Sequence, residues 1–243
     1  GATRMIEAGA IDDVDIILGI HLRPVQEAKT GQATPALYHG SSYIMEATIT
    51  GQTAHGARPH LGVNAIDGAA AAVNAVNAIH INPVIPSTCK VTKLTAGGAT
   101  LNQIPDKAVM ALDLRAQQND AMKVLLAKAE NAIKAGAATV GATAETVVKG
   151  GVPGAEYHPE IIELAKDSIR EVLGEQGLLD PIVTPGGEDF HNFVQAKPSL
   201  KAGYIGLGCN LTPGLHDPAM KFDRSAMIYG AQILARMVEK LLK

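Results

Sequence analysis

The 243-residue sequence predicts an α/β protein with a smaller α+β domain inserted into it. Three observations lead there. "VDIILGIH", Val14 to His21, is an apolar run of strand length, the pattern of a strand in a sheet buried on both faces. From Ser41 the texture changes to alternating and helical periods in the order strand, helix, strand, strand, helix, strand. That order belongs to a split βαβ sandwich with helices on one face of an antiparallel sheet. Beyond the Gly/Pro-rich "GGVPGAEYHPE" the chain returns to helix and strand, so residues 1–40 and 151–243 read as two pieces of one domain and residues 41–150 as the insert.

Each element has a local reason. "GATRMIEAGAI" reads as the end of a helix with Gly9 as its C-cap. "YIMEATITG" alternates like a half-buried strand, and "VNAIDGAAAAVNAVNAIH" places Val63, Ile66, Ala70, Val73, Val76 and His80 at helical spacing. "CKVTKLTA" and "DKAVMALDLRA" are two further alternating strands, "AMKVLLAKAENAIKAG" a second amphipathic helix and "ATAETVVKG" a last strand. Pro159 suits a first helical turn and Gly174 its end; "AGYIGLG" reads as a short strand, and Asp223 caps a closing helix.

Composition removes several function classes. A net charge of −3, with Lys+Arg 21 against Asp+Glu 24, and no basic run interleaved with aromatics, argue against nucleic acid or an anionic membrane as partner. The apolar stretches break well before the ~18 residues that a membrane span requires. Cys89 and Cys209 are far apart without partner spacing, which indicates neither a disulfide framework nor a CxxC metal site and fits a reduced, cytoplasmic setting.

Three segments carry chemistry: "GIHLRP" around His21, "TPGGEDFHNF" around Glu188 and Asp189, and "GLHDPAMKFD" around His216. Each follows a strand-like run, where an open α/β sheet places its ligands. Neutral imidazoles there can bind a metal, and a nearby carboxylate can be a further ligand or orient one; the bland reading of any single one is a hydrogen-bonded loop histidine. A fourth segment, "ITGQTAHGARPHLGVNAI", crowds His55, Arg58 and His60 into a loop.

With "TLNQIPDKA" and "GGEDF" these strings come in the order and spacing of the aminoacylase/carboxypeptidase family of dinuclear metallo-amidohydrolases, which the sequence resembles over essentially its whole length. Within that family it is most similar to the N-acyl-amino-acid and indoleacetyl-amino-acid hydrolases. The resemblance implies a metallopeptidase-like catalytic domain, present here in part, and an inserted lid that forms a homodimer. It implies metal ligation by His21 and His216, oxyanion support by His55 in a neighbouring subunit's site, substrate contact by Asn102, and a place for Glu188 lining the site; Arg58 and His60 receive no role. The substrate implied is a small N-acyl amino acid or peptide, and the cofactor a pair of divalent ions, zinc first, with manganese or cobalt as alternatives.

The resemblance further implies an upstream half with a Cys/His metal motif and a Glu-Glu pair, neither of which occurs in these residues. Two histidines do not close the shells of two metal ions, since zinc takes about four ligands each. Metal is therefore expected to bind weakly or not at all here, and the 243 residues are expected to be inactive alone. Two alternatives stay open: a non-catalytic dimerisation or ligand-binding remnant, and, more weakly, a Ser- or Cys-dependent hydrolase, for which Cys209 lies near the His216 loop but no Gly-x-Ser-x-Gly elbow occurs and a buried small cysteine is the common case.

Overall fold

The structure is a computed structural model that describes residues 1–243. In chain order it contains α1 (Ala2–Glu7), β1 (Ile16–Pro24), β2 (Ala33–Thr34), β3 (Leu37–His39), β4 (Ser41–Thr50), β5 (Ala54–His55) and α2 (Ala65–Asn77). There follow β6 (Ser87–Ala96), β7 (Gln103–Ile104), β8 (Lys107–Ala116), α3 (Asn119–Ala138) and β9 (Thr143–Val152). The chain closes with α4 (Pro159–Leu173), β10 (Ile182–Thr184), α5 (His191–Ala196), β11 (Lys201–Leu211) and α6 (Ala226–Leu241). Two compact units result: residues 1–39, 155–184 and 188–243 form the first, and residues 40–154 with 185–187 the second.

The first unit is built on a sheet of order β1-β11-β2. β1 and β11 run parallel, with Gly19 opposite Tyr204 and His21 opposite Gly206. Side chains alternate across the sheet. Ile16, Leu18, Ile20 and Leu22 therefore meet Ile205, Leu207, Cys209 and Leu211 on one face, under α4 and α6. Those helices bury Ile161, Ala165 and Ile169, and Ala226, Ile233 and Met237, at the three-to-four spacing of an amphipathic stripe. Ile17, Ala202 and Tyr204 turn to the other face, against Leu37 of β3, α1 and α5. The remaining small sheet pairs β10 with β3 in parallel.

β1 departs from expectation in two ways. It continues through His21 to Pro24, and Ile16 to Leu22 are only half-buried. The physical reason is that β1 is an edge: β11 is its one hydrogen-bonded neighbour, so its outer flank lies open although its apolar run reads like that of a central strand. Other differences are local. Asp223 accepts from the Ser225 N–H at 2.9 Å and hydroxyl at 2.7 Å, which makes it the anchor of a turn before α6, while Ser225 occupies the N-cap position. Gly9, at φ 78°, follows the C-cap Ala8 and lies two positions beyond the end of α1, and β11 is eleven residues long where the sequence predicts a short strand.

The second unit is an antiparallel sheet of order β6-β8-β4-β9 with α2 and α3 on one face. Met45, Ala47 and Ile49 of β4 and Met110, Leu112 and Leu114 of β8 form the sheet side of its core. The helix side corrects the sequence reading of α2. Ile66 is 43% exposed and Ala70 is also exposed, while Ala65, Ala69, Ala72 and Val76 are buried. The small side chains win because α3 crosses so closely: a Cβ on Gly136 would stand 2.6 Å from the Ala72 Cα. At such a crossing there is no volume for Ile or Leu.

Gly136→Ala is expected to cost about 1–3 kcal/mol by overpacking this crossing, read as a lower urea midpoint at unchanged m value. Gly150→Ala, at an open position in β9, is the contrasting variant and should be neutral or slightly stabilising through the unfolded chain.

Candidate functional site

The face of β1 that carries Gly19, His21 and Arg23 is where the first unit collects its titratable groups. His21 Nδ1 lies 2.6 Å from the Leu22 carbonyl oxygen. A carbonyl only accepts, so Nδ1 carries a proton, and in the neutral ring Nε2 keeps its lone pair, the tautomer that can ligate a metal. Arg23 is the one buried residue of the strand, at 4% exposure. Its Nε and Nη2 both donate to Glu27 Oε2, at 2.7 and 2.5 Å, which offsets the cost of burying the charge.

Two histidines absent from the sequence reading complete this layer. His39 ends β3 and His191 begins α5; both are buried, with His39 Nδ1 3.2 Å from His191 Nε2. Whichever ring donates, His191 Nδ1 is left without a partner. Burial drives the His39 pKa down to about 4, assisted by the Arg23 and His21 charges and opposed by the Leu37 backbone. Burial likewise drives His191 down to about 3, assisted by His39 and opposed by Asp189. The pair is therefore neutral at ordinary pH. Rings of Tyr204, Tyr157 and Phe190 pack around it at centroid distances of 5.7–6.1 Å.

The "GGEDF" turn enters this layer from above α5. Glu188 Oε2 accepts from the Tyr204 hydroxyl at 3.0 Å, and Oε1 from the Phe190 N–H at 3.4 Å. Asp189 Oδ2 accepts the Ala2 N–H at 2.9 Å, the main reason its carboxyl is held below the usual range. His216 is exposed, at φ 65°, in a loop closed by paired Thr212 and Lys221 backbone bonds of 3.0 and 2.8 Å.

In the second unit, His55 and Asn102 come together. β5 and β7 pair with His55 opposite Gln103, and the Gly56 N–H donates to the Asn102 carbonyl at 2.7 Å. The His55 ring is exposed but tethered: the Ala57 N–H donates to Nδ1 at 3.0 Å, so the neutral ring carries its proton on Nε2 and presents it outward. Arg58 N–H donates to the His55 carbonyl at 2.8 Å, closing a tight turn of which His55 is the first residue. Arg58 and His60 are exposed.

Nowhere do three His, Cys, Asp or Glu side chains converge as a metal-holding group. A closed zinc site takes about four donors. The residues present do not complete one. No helix is long and apolar enough to cross a membrane.

The antiparallel sheet with two helices on one face and its projecting His55 loop define a dimerisation-type module: residues 40–140 match the peptidase dimerisation domain of M20 peptidases. Over nearly its whole length the chain is similar to hydrolases of the M20 type. It is 28% identical over 244 residues to indole-3-acetyl-aspartic acid hydrolase of Enterobacter agglomerans, covering 97% of this chain and 54% of that protein. It is 26% identical over 245 residues to one of the subunits of p-aminobenzoyl-glutamate hydrolase from Escherichia coli, covering 97% and 55%. Its fold matches a dinuclear metal-binding M20 peptidase of Bacillus subtilis with a TM-score of 0.78 at 23% identity, covering 98% of this chain and 60% of the other. The chain thus spans little more than half the length of these relatives.

Because both imidazoles of the His39–His191 pair titrate near 6.5 when unfolded, the unfolded chain binds more protons between that value and their folded values of about 4 and about 3. Stability is fully present above the ordinary histidine range and declines as pH falls through this window. The urea midpoint should drop between about pH 7.5 and about pH 4.5, and the double variant H39Q/H191Q should flatten that drop. An unchanged slope in the variant would assign the effect to other groups.

Proposed function

We propose that the chain is the lid-bearing part of an amidohydrolase that cleaves the amide bond of small N-acyl amino acids, and that donors from outside these 243 residues complete its metal centre. The observation that carries this reading is the His55 loop: an imidazole tethered through Nδ1, with Nε2–H presented to solvent beside Asn102. Such a donor on a rigid turn suits a developing oxyanion, which needs a hydrogen bond already in place when charge appears. Asn102 is assigned to hold the substrate next to it, and Glu188 to line the site. His21 and His216 are assigned as ligands to divalent ions, zinc first and manganese or cobalt as alternatives. The two hydrolases named above act, by their names, on aspartic and glutamic acid conjugates, which supports an acylated amino acid as substrate.

The open flank of β1 supports the same reading, since His21 stands on a strand that has room for a further neighbour. We further propose a homodimer through the second unit. β6 and β9 are its open edges, and covering such edges across a two-fold axis removes unpaired backbone.

The match of residues 40–140 to a peptidase dimerisation domain favours a second reading for the chain by itself, a dimerising, non-catalytic module. One experiment separates the two. The 243 residues, given zinc or manganese, are assayed for hydrolysis of N-acyl amino acids alone and with the N-terminal segment of an M20 relative supplied. Activity only with the segment is the expected result; inactivity in both arms with an intact dimer would establish the module. In the active combination, His55→Ala should lower kcat by about 10²–10³-fold with little change in KM. A change confined to KM would make His55 a binding residue.

A further inference from the structure

We infer that Tyr204 is a positioning residue which fixes the Glu188 carboxylate to accept an N–H from the bound ligand, and that Gly19 is the notch that admits it. The inference rests on the reading above, in which Glu188 lines the substrate site.

Tyr204 and Gly19 are register partners on neighbouring strands. A Cβ on Gly19 would stand 2.2 and 2.4 Å from Cδ2 and Cε2 of Tyr204, and 3.0 Å from Phe190 Cε2. The phenol ring thus lies across the backbone of β1, two residues before His21 and on the same face, because side chains at i and i+2 share a face. Phe190 packs on the ring at 4.6 Å between centroids, and the edge of His39 meets it at 5.7 Å and 73°. A ring held from three directions leaves its hydroxyl one aim, and that aim is Glu188 Oε2 at 3.0 Å.

Donor and acceptor roles are settled by charge. Burial, and next the Glu188 carboxylate itself, push the Tyr204 pKa well above its ordinary value, so the phenol keeps its proton and donates. An ionised carboxylate offers about four lone-pair sites. Tyr204 takes one, and the Phe190 N–H at 3.4 Å takes another at a long distance. What remains is an oriented anionic acceptor, and the ligand group it selects is an N–H. In an N-acyl amino acid that group is the amide N–H, so a secondary amide is distinguished from its N-methylated counterpart.

The test uses the 243-residue chain carrying ¹³C-carboxyl-labelled glutamate, with the Glu188 signal assigned through Glu188→Gln. Tyr204→Phe keeps the ring and its packing and removes only the hydroxyl. It should displace the Glu188 signal and leave the other glutamates in place. Binding of N-acetyl-L-glutamate and of N-acetyl-N-methyl-L-glutamate is then followed by saturation-transfer NMR, for the chain alone and with the N-terminal segment supplied. The native chain should prefer the secondary amide by about tenfold, the scale of one hydrogen bond to a charged group, and Tyr204→Phe should abolish that preference. Gly19→Ala, if it folds, should reproduce both effects by displacing the ring. An unmoved Glu188 signal in Tyr204→Phe overturns the positioning role. A displaced signal with equal binding of both amides overturns the N–H assignment. A displaced signal with binding of neither amide in either arm upholds the positioning and overturns the substrate reading on which the ligand class depends.

Discussion

The parallel pairing of β1 with β11 is the constraint from which the rest of the first unit follows. The two strands are separated by most of the chain, so their register is fixed by long-range packing and by no turn. A slip of one residue would invert every side chain. It would carry His21 and Arg23 into the apolar layer under α4 and α6, and it would take Tyr204 off Gly19. The two faces therefore specify each other: Leu and Ile on one side hold the register that places imidazole, guanidinium and phenol on the other.

That polar face is also where the aromatic residues are concentrated. The sequence has three Phe, five Tyr and no Trp. Phe190, Phe193, Tyr38, Tyr157 and Tyr204 all take part in the ring contacts around His39 and His191. Elsewhere the fully buried core is mostly Ala, Leu, Ile and Met, with Tyr43, Phe222 and Tyr229 only partly buried against it. Large flat rings with few rotatable bonds are an effective way to hold neighbouring polar groups in one geometry. Tyr157 shows the same use: its hydroxyl donates to the Leu37 carbonyl at 2.6 Å, bracing β3 just before His39.

Legibility in the sequence follows from how local each feature is. The alternation of β4 and β8, Pro159 at the start of α4 and Gly174 at its end depend on near neighbours and are readable. The buried face of α2 is not, because it is set by Gly136 more than sixty residues away, and a period analysis that favours Ile66 over Ala69 has no access to that crossing. His21, His55, Asn102, Glu188 and His216 stand out because their motifs occur in a familiar order. Arg23, His39, His191 and Tyr204 do not, although "YHG" ends a strand in the manner that "GIH" suggests, and His191 directly follows "GGEDF". Their contacts bridge the segments around β1, β3, α5 and β11, so only the folded chain shows what they meet.

The open flank of β1 has a consequence for the chain as a material. A nine-residue strand whose backbone amides and carbonyls face outward along one side is a template on which any extended peptide can grow. No proline interrupts Ile16 to Arg23, and its only charge, Arg23, is tucked inward against Glu27. Left unpaired at high concentration, this flank is where colloidal association and fibre-like stacking would begin, so the element that orders the chemistry is also the one that most needs a companion.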